Sequence, residues 1–200
     1  MRQLALGLSP PPQPTLDNFV PGANGELLER LRELASGTLA ERVVYLWGET
    51  GSGRSHPLRA CQRDGLHAAD DVESLGEAAQ VDLFNRINEA QQSGGAVLAA
   101  GNAPPAQLAL RADLASRLGG GLVYQVKTLS DAERALYLRG EAARRGMPLD
   151  DEVIWYLLSR VRRDLPSLAA ILDRLDRASL ERQRQITLPL VRETLKALEE

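Results

Sequence analysis

Hydrophobic residues follow two different patterns along this chain, one before and one after about residue 126. Continuous apolar runs over residues 43–47 and 96–100 predict strands that are buried on both faces. Runs over residues 66–71 and 121–126 predict two further strands. Stretches with a helical spacing of apolar residues separate these runs. Strands that alternate with helices predict a parallel sheet covered by helices on both faces.

After the fourth predicted strand the apolar spacing is that of helices alone. Ser130 and Glu133 have the spacing of a capping box, which predicts the start of a helix. Asp150 predicts the start of a second helix, and residues 164–180 and 187–198 predict a third and a fourth. The expected organisation is a flexible tail over residues 1–14, an α/β domain over 15–128 and a four-helix lid over 129–200.

The composition narrows the class of protein. With 200 residues, of which 44% are apolar and 26% charged, the chain is long enough for a sizeable core. A net charge of −3 argues against a dedicated nucleic-acid module, which needs a basic excess. The single cysteine, Cys61, excludes an internal disulfide, and no apolar run approaches the ~20 residues of a membrane span. We therefore expect a cytoplasmic protein with no membrane contact and no direct sequence-specific DNA binding.

The segment GETGSGRS, residues 48–55, follows the first strand with the glycine spacing of a phosphate-binding P-loop. Backbone N–H groups of such a loop and of the helix after it, predicted to about Arg63, form an anion site. Ser55 stands where a hydroxyl ligates Mg²⁺, whereas Arg54 stands where the motif has lysine. A plain Gly-Ser turn is the alternative, but the flanking strand and helix favour a nucleotide site.

Polar residues follow two of the other predicted strands. Asp70 and Asp71 end the second strand, where a P-loop protein requires a carboxylate that orders a metal. The alternative role of this pair is to cap the next helix. Asn102 follows the third strand, where it would either sense a γ-phosphate or form a turn before Pro104.

The remaining reactive side chains have no clear chemical pattern. His56 and His67 form no triad-like arrangement with a serine or cysteine, and Cys61 is expected to be buried packing. Arg117 is one of 22 arginines, and on residue evidence alone it is a solvated helix residue.

Several segments, in their order and spacing, resemble the DnaA-related AAA+ family and, within it, the Hda type of regulatory inactivator. The resemblance covers almost the full length and rests on LDNFVPGAN, YLWGETGSGRSH, AADDVESL, FNRINEA, AAGNAPPAQL, DLASRL and LDRLDRASL. It implies an α/β fold, namely an AAA+ P-loop base with a shortened parallel sheet of about four strands, followed by an all-α helical lid. Arginine in the P-loop is expected for this type.

The resemblance also implies roles for individual residues. Arg117 matches the arginine that acts catalytically in trans, on ATP held by a neighbouring protomer, and Asp70 would hold Mg²⁺ if nucleotide is bound. ADP, or ATP, with Mg²⁺ would lie against Phe19, Val20, Gly48, Gly51, Gly53, Arg54, Ser55, His56 and Asn102. The hexapeptide that binds the sliding clamp of the replicative DNA polymerase, the beta clamp, matches Gln3, Leu4, Ala5, Leu6, Gly7 and Leu8.

Three features depart from the family pattern. The interval between the P-loop helix and residues 66–71 is too short for the strand and helix that relatives place there, so the sheet has a new edge. Pro166 stands where the family has a lid arginine that contacts nucleotide. No helix-turn-helix domain follows the lid, which indicates the inactivator and not the DNA-binding initiator.

The expected function is regulation of bacterial replication initiation. The protein would bind the sliding clamp, stimulate ATP hydrolysis by the initiator DnaA and so prevent re-initiation, without being an enzyme itself. One alternative is an autonomous P-loop ATPase or loader that uses Asp70 and Asp71. Another is an adaptor that holds no nucleotide, and a homo-oligomer is compatible with each of these functions.

Overall fold

The structure is a computed structural model that describes residues 13–197. The described residues form two compact units. The first contains residues 13–21, 25–48 and 54–125, and the second contains residues 22–24, 49–53 and 126–197.

The first unit is built on a four-stranded parallel sheet, as predicted. Its strands are β1 (Val43–Trp47), β2 (Leu66–Ala69), β3 (Ala96–Gly101) and β4 (Leu122–Gln125), in the spatial order β2-β3-β1-β4. The central strand β3 is buried at every residue, which explains its continuous apolar sequence. The edge strands are only partly buried, with no fully buried residue in β2 or β4.

Four α-helices accompany this sheet: α1 (Gly25–Ser36), α2 (Ser55–Ala60), α3 (Glu77–Ser93) and α4 (Ala112–Gly119). Helices α3 and α4 bury apolar side chains, among them Ile87 and Leu118, in one cluster with Tyr45 and Val97 of the sheet. This packing removes the apolar side chains of both helices from water and so stabilises the layer.

Two boundaries in this unit differ from the predicted ones. Helix α2 ends at Ala60 and not near Arg63, whose guanidinium donates to the carbonyl of Leu34 at 2.9 Å. Residues 61–65 instead reverse the chain toward β2, with Gly65 at φ +77°. Strand β2 ends at Ala69, so Asp70 and Asp71 follow the strand.

The second unit contains α5 (Asp131–Arg144), α6 (Asp151–Arg160), α7 (Leu165–Arg182) and α8 (Leu188–Lys196). Ser130 and Glu133 form the predicted capping box at the start of α5. Asp150 precedes α6, although its side chain makes no capping hydrogen bond among the described residues. The helices share one apolar core, to which each contributes buried residues such as Leu138, Leu157, Leu172 and Val191. No helix within residues 13–197 is long and apolar enough to cross a membrane.

Candidate functional site

Two glycines of the glycine-rich loop adopt positive φ angles. Gly51 and Gly53 adopt φ values of +83° and +95°, which side-chain-bearing residues rarely adopt. A Cβ atom at either position would meet nothing within 4 Å, so open space adjoins both glycines. Residues 49–53 belong to the second unit and close a turn of their own, in which Ser52 N–H donates to the carbonyl of Glu49 at 3.0 Å.

Arg54, at the start of α2, points toward the carboxyl end of β2. Its side chain is 11% exposed, and its Nη2 lies 3.9 Å from Oδ1 of Asp71. Asp71 is in the left-handed region, at φ +46°. Nη1 of Arg54 is buried and has no hydrogen-bond partner among the described residues. Such an unpartnered cationic donor fits an anion, and a phosphate group has the acceptor oxygens that would satisfy it.

Glu73 is a third acidic residue after β2, and the sequence analysis assigned it no role. Glu73 has a buried Oε2 with no hydrogen-bond partner in the part of the chain that the structure describes. Burial first, and the charge of Glu73 second, raise the pKa of Tyr45, whose hydroxyl donates to the carbonyl of Ala103 at 2.9 Å. A sequence pattern could have pointed to Glu73, because the segment DDVE carries three carboxylates directly after a predicted strand.

Two predicted site residues lie at the carboxyl edge of the sheet. Because β2 and β3 are adjacent and parallel, Asp70 and Asn102 follow neighbouring strand ends. The backbone N–H of Asp71 donates to Oδ1 of Asp70 at 3.0 Å. The described residues contain no group of three or more His, Cys, Asp or Glu side chains arranged to hold a metal ion. A metal ion held by Asp70 would therefore need further ligands, such as phosphate or water oxygens.

His56 and Phe19 are brought together in the first unit. Their ring centroids lie 5.5 Å apart, and Nε2 of His56 lies 2.8 Å from the carbonyl oxygen of Thr15. Phe19 is buried, whereas Val20 beside it is half-buried. These contacts attach the segment before α1 to helix α2, so His56 has a structural partner on the segment that the sequence assigns to the adenine.

Cys61 and Pro166 each lie in a setting that explains the residue by packing or helix geometry. Burial raises the pKa of the Cys61 thiol to about 11, and the thiol lies 3.8 Å from the carbonyl oxygen of Leu31. The prediction that Cys61 is buried packing is confirmed. Pro166 lies in the first turn of α7, where proline is tolerated, and Asp164 caps that helix by accepting from Ser167 N–H at 2.9 Å.

Arg117 lies near the end of α4, at the opposite edge of the sheet from Asp70 and Asn102. Its guanidinium donates to Oε1 of Gln91 at 3.3 Å and lies 5.9 Å from the ring centroid of Phe84. Helix α4 leads into the amino end of β4, which pairs in parallel with β1. Since a strand rises ~3.3 Å per residue, a strand of five residues separates the two edges by roughly 15 Å.

The structure therefore does not bring all the predicted site residues together. Arg54, Asp70, Asp71 and Asn102 belong to the carboxyl edge, and Arg117 belongs to the amino edge of the same sheet. An arginine at the amino edge does not reach a phosphate held at the carboxyl edge of its own chain. The predicted clamp-binding residues Gln3 to Leu8 lie outside the described residues.

Comparison with known proteins identifies the second unit most directly. Residues 131–195 match the family model described as Hda, lid domain. The matched range contains the whole of α5, α6 and α7, and all of α8 except its last residue. The match is to the lid alone and covers about a third of the chain.

Solved structures show the fold of the chain. Domain III of DnaA from Thermotoga maritima is similar at a TM-score of 0.75 and 19% identity, with 94% of this chain and 98% of that one covered. AMPPCP-bound DnaA from Aquifex aeolicus has a TM-score of 0.67 and 20% identity over 80% of this chain and 63% of that one. A RuvB variant from Thermotoga maritima has a TM-score of 0.71 and 16% identity, with 93% and 72% covered.

The chain spans 64% of the replication initiator DnaA whose structure holds AMPPCP and single-stranded DNA, at 20% identity and a TM-score of 0.69. At these identities the similarity is one of fold. The comparisons therefore show that residues 131–195 are similar to the Hda lid domain and that the chain has the fold of the solved DnaA structures.

Proposed function

We propose that this protein is a DnaA-related replication regulator, which stimulates ATP hydrolysis by ATP-bound DnaA in the cytoplasm and so prevents re-initiation. Hydrolysis takes place in the nucleotide site of DnaA, and the regulator supplies Arg117 to it. The regulator is therefore not an enzyme on its own account. The beta sliding clamp is the second partner, bound through residues 3–8.

The position of Arg117 carries this proposal. The residue is exposed, and its contacts within the described chain are to the neutral groups of Gln91 and Phe84. It also lies at the sheet edge opposite Asp70 and Asp71 of its own chain. A guanidinium in this place is available to a phosphate in a neighbouring molecule. A trans arginine that stabilises charge on a transferring phosphoryl group raises the rate by about 10³ to 10⁵.

The chain's own nucleotide, ADP or ATP, is proposed to bind at the glycine-rich loop. Arg54 and Ser55 would bind its phosphates, Asn102 would lie beside the outer phosphate, and Phe19 would lie beside the base. Asp70 would hold Mg²⁺, which when bound neutralises phosphate charge. The support is the unpartnered Nη1 of Arg54, together with the AMPPCP in the similar DnaA structures.

Slow turnover of that nucleotide is expected on chemical grounds. Arg54 replaces the compact lysine of the motif, and its planar guanidinium is already engaged by Asp71. Pro166 replaces a lid cation. The bound nucleotide is therefore proposed to hold the protein in one conformation while catalysis occurs in DnaA.

The clamp-binding role rests on the sequence of residues 3–8. An extended peptide with alternating apolar side chains suits a hydrophobic groove, and its polar first residue, Gln3, fixes the register. Tethering to a DNA-loaded clamp raises the effective concentration of the regulator near DnaA. Stimulation is therefore expected to depend on the clamp.

An autonomous ATPase is the second candidate, and one observation favours it. Glu73 provides a buried carboxylate oxygen with no partner among the described residues, three positions after Asp70. If this candidate is right, the isolated protein hydrolyses ATP, and both Asp70→Asn and Glu73→Gln abolish the turnover.

The proposed function is tested by measuring DnaA ATP hydrolysis with DNA-loaded clamp and the full chain. The parent protein is expected to accelerate hydrolysis, and Gln3→Ala is expected to lose the acceleration at low protein concentration and regain it at high concentration. Omission of the clamp from the parent reaction should reproduce the Gln3→Ala result. Failure of the parent protein to accelerate hydrolysis with clamp and DNA present would overturn the proposal.

A further inference from the structure

A cavity of about 330 Å³ adjoins Arg117 on the amino edge of the sheet. We call it the arginine groove, and its lining includes Glu41, Arg42, Gln91, Ser116, Arg117 and Gly121. All of these residues belong to the first unit. None of them except Arg117 was assigned a role by the sequence.

The strand order explains why these distant residues meet. Arg42 directly precedes β1, Gly121 directly precedes β4, and Gln91 lies at the end of α3, shortly before β3. Because β1 lies between β3 and β4 and all three are parallel, their amino ends share one edge. The backbone of Arg42 is fixed at this edge, since its carbonyl accepts from Val97 N–H at 2.7 Å.

Gly121 lines the groove at a position where a side chain does not fit. A Cβ atom at Gly121 would lie 2.3 Å from the carbonyl oxygen of Val43, so the position admits no side chain without a shift of the backbone. The backbone before β4 therefore lies directly against the start of β1. Val43 occupies the space that a side chain would need, so position 121 adds no side chain to the groove lining.

The two arginines of the groove are held by neutral oxygen atoms. Arg42 donates from Nη1 to the carbonyl of Gly94 at 3.2 Å, and Arg117 donates from Nη1 to Oε1 of Gln91 at 3.3 Å. Neither forms an ion pair within 4.0 Å in the described part of the chain, whereas twelve other arginines do.

The groove therefore carries a net positive charge. Glu41 is the acidic residue of its lining, and its one negative charge leaves an excess of one positive charge from the two arginines. Guanidinium groups bind phosphate oxygens through charge-assisted, often bidentate, hydrogen bonds. Both arginines line the groove, and Ser116 adds a hydroxyl to the same lining.

We propose that Arg42 is a second arginine that contacts the phosphate oxygens of the nucleotide held by the partner, beside Arg117. The inference rests on the proposed function and extends it to a residue outside the motif of Arg117. Arg42 and Arg117 approach the triphosphate together, in a groove whose lining has no side chain at position 121. The occupant of the groove is the phosphate chain and not the acidic side chains of the partner.

The test compares Arg42→Ala, Arg42→Lys, Arg117→Ala and Arg174→Ala in the clamp-dependent DnaA hydrolysis assay. Arg174 is the matched control, because it is exposed, lies in α7 and forms no ion pair within residues 13–197. Arg42→Ala is expected to lower the stimulated rate by about tenfold, the loss of one charge-assisted hydrogen bond. Arg42→Lys should recover part of the rate, and Arg174→Ala should stay within twofold of the parent.

A binding measurement identifies the occupant. Affinity is measured for DnaA loaded with ADP and aluminium fluoride, which mimics the transferring phosphoryl group, and for DnaA loaded with ADP alone. Arg42→Ala is expected to weaken the first complex about tenfold and the second less than twofold. Equal weakening of both complexes would show that Arg42 contacts protein side chains, and would overturn the inference.

The assay distinguishes failure of the inference on Arg42 from failure of the proposed function. If Arg42→Ala stimulates hydrolysis as well as the parent while Arg117→Ala does not, the inference on Arg42 is wrong and the proposed function stands. If the parent itself does not stimulate hydrolysis, both are wrong. Circular dichroism spectra and urea midpoints of the four variants, matched to the parent, exclude loss of folding as the cause.

Discussion

Arg54 and Asp71 contact each other, with Nη2 of the arginine 3.9 Å from Oδ1 of the aspartate. The sequence assigns the first to phosphate binding and places the second beside Asp70, the proposed metal ligand. Their contact means that a carboxylate of the same chain competes with phosphate for the guanidinium. The Asp71 side chain is 63% exposed, so this competition is weak and a nucleotide can displace it.

Asp71→Asn is therefore expected to strengthen ADP binding. The gain should be about two- to fivefold, as for an exposed ion pair of up to ~1 kcal/mol. Asparagine also tolerates the left-handed backbone that Asp71 adopts, so the variant retains the local conformation. The measurement is calorimetric titration with ADP in the absence of Mg²⁺, with Asp70→Asn as the matched control. Unchanged or weaker binding by Asp71→Asn would show that the carboxylate does not compete.

Gly121→Ala is expected to destabilise the first unit by about 2 kcal/mol or more, because the new Cβ forces a backbone shift. Its Cβ would lie 2.3 Å from the carbonyl oxygen and 2.8 Å from the Cβ atom of Val43. Gly120→Ala is the control, since its Cβ would meet its nearest atom at 3.3 Å. Urea unfolding followed by circular dichroism measures both variants, and equal stabilities would contradict the close packing of β1 and β4.

His67 makes the stability of the protein depend on pH. Burial first, and the charge of Arg86 second, lower the pKa of His67 in the folded state, while Asp82 raises it. Between the lowered pKa and the unfolded value of about 6.5, the unfolded chain binds more protons than the folded one. The free energy of unfolding is therefore expected to fall as the pH is lowered through this window, and to level off below it.

His67→Gln should flatten that part of the profile, because glutamine does not titrate. The comparison requires urea unfolding of both proteins from pH 7.5 to pH 5. A parent and a variant with parallel profiles over this range would show that His67 titrates alike in the folded and unfolded chain.

The apolar core of the second unit is expected to be sensitive to truncation. Leu172 in α7 is fully buried, so Leu172→Ala should lower the free energy of unfolding by about 2–5 kcal/mol. Leu180 lies on the same helix and is 65% exposed, and Leu180→Ala should change the stability by less than about 0.5 kcal/mol. Thermal and urea unfolding measure both variants. Similar losses from the two would contradict the described burial.

Much of the sheet could be predicted because its central strands are buried on both faces. Residues of β3 are apolar without interruption, and that pattern fixes the strand to within one residue. The end of α2 could not be predicted, because the hydrogen bond of Arg63 to Leu34 joins segments that are distant in sequence. Local propensity does not contain such contacts.

The candidate site shows the same division. The positive φ angles of the loop fall on glycines of GETGSGRS, since this property depends on the residues themselves. The competition between Arg54 and Asp71, and the meeting of Arg42 with Arg117, depend on strand order. The order β2-β3-β1-β4 is a tertiary property, and no residue pattern between positions 42 and 117 reveals it.

The central claim is that Arg117 acts on ATP held by DnaA. It is tested most directly by single-turnover hydrolysis of DnaA-bound ATP with DNA-loaded clamp, comparing the parent with Arg117→Ala and the control Arg174→Ala. The account predicts that Arg117→Ala loses the stimulation by about 10³ or more, while Arg174→Ala keeps it. Full stimulation by Arg117→Ala, with a fold and clamp affinity equal to those of the parent, would contradict the account.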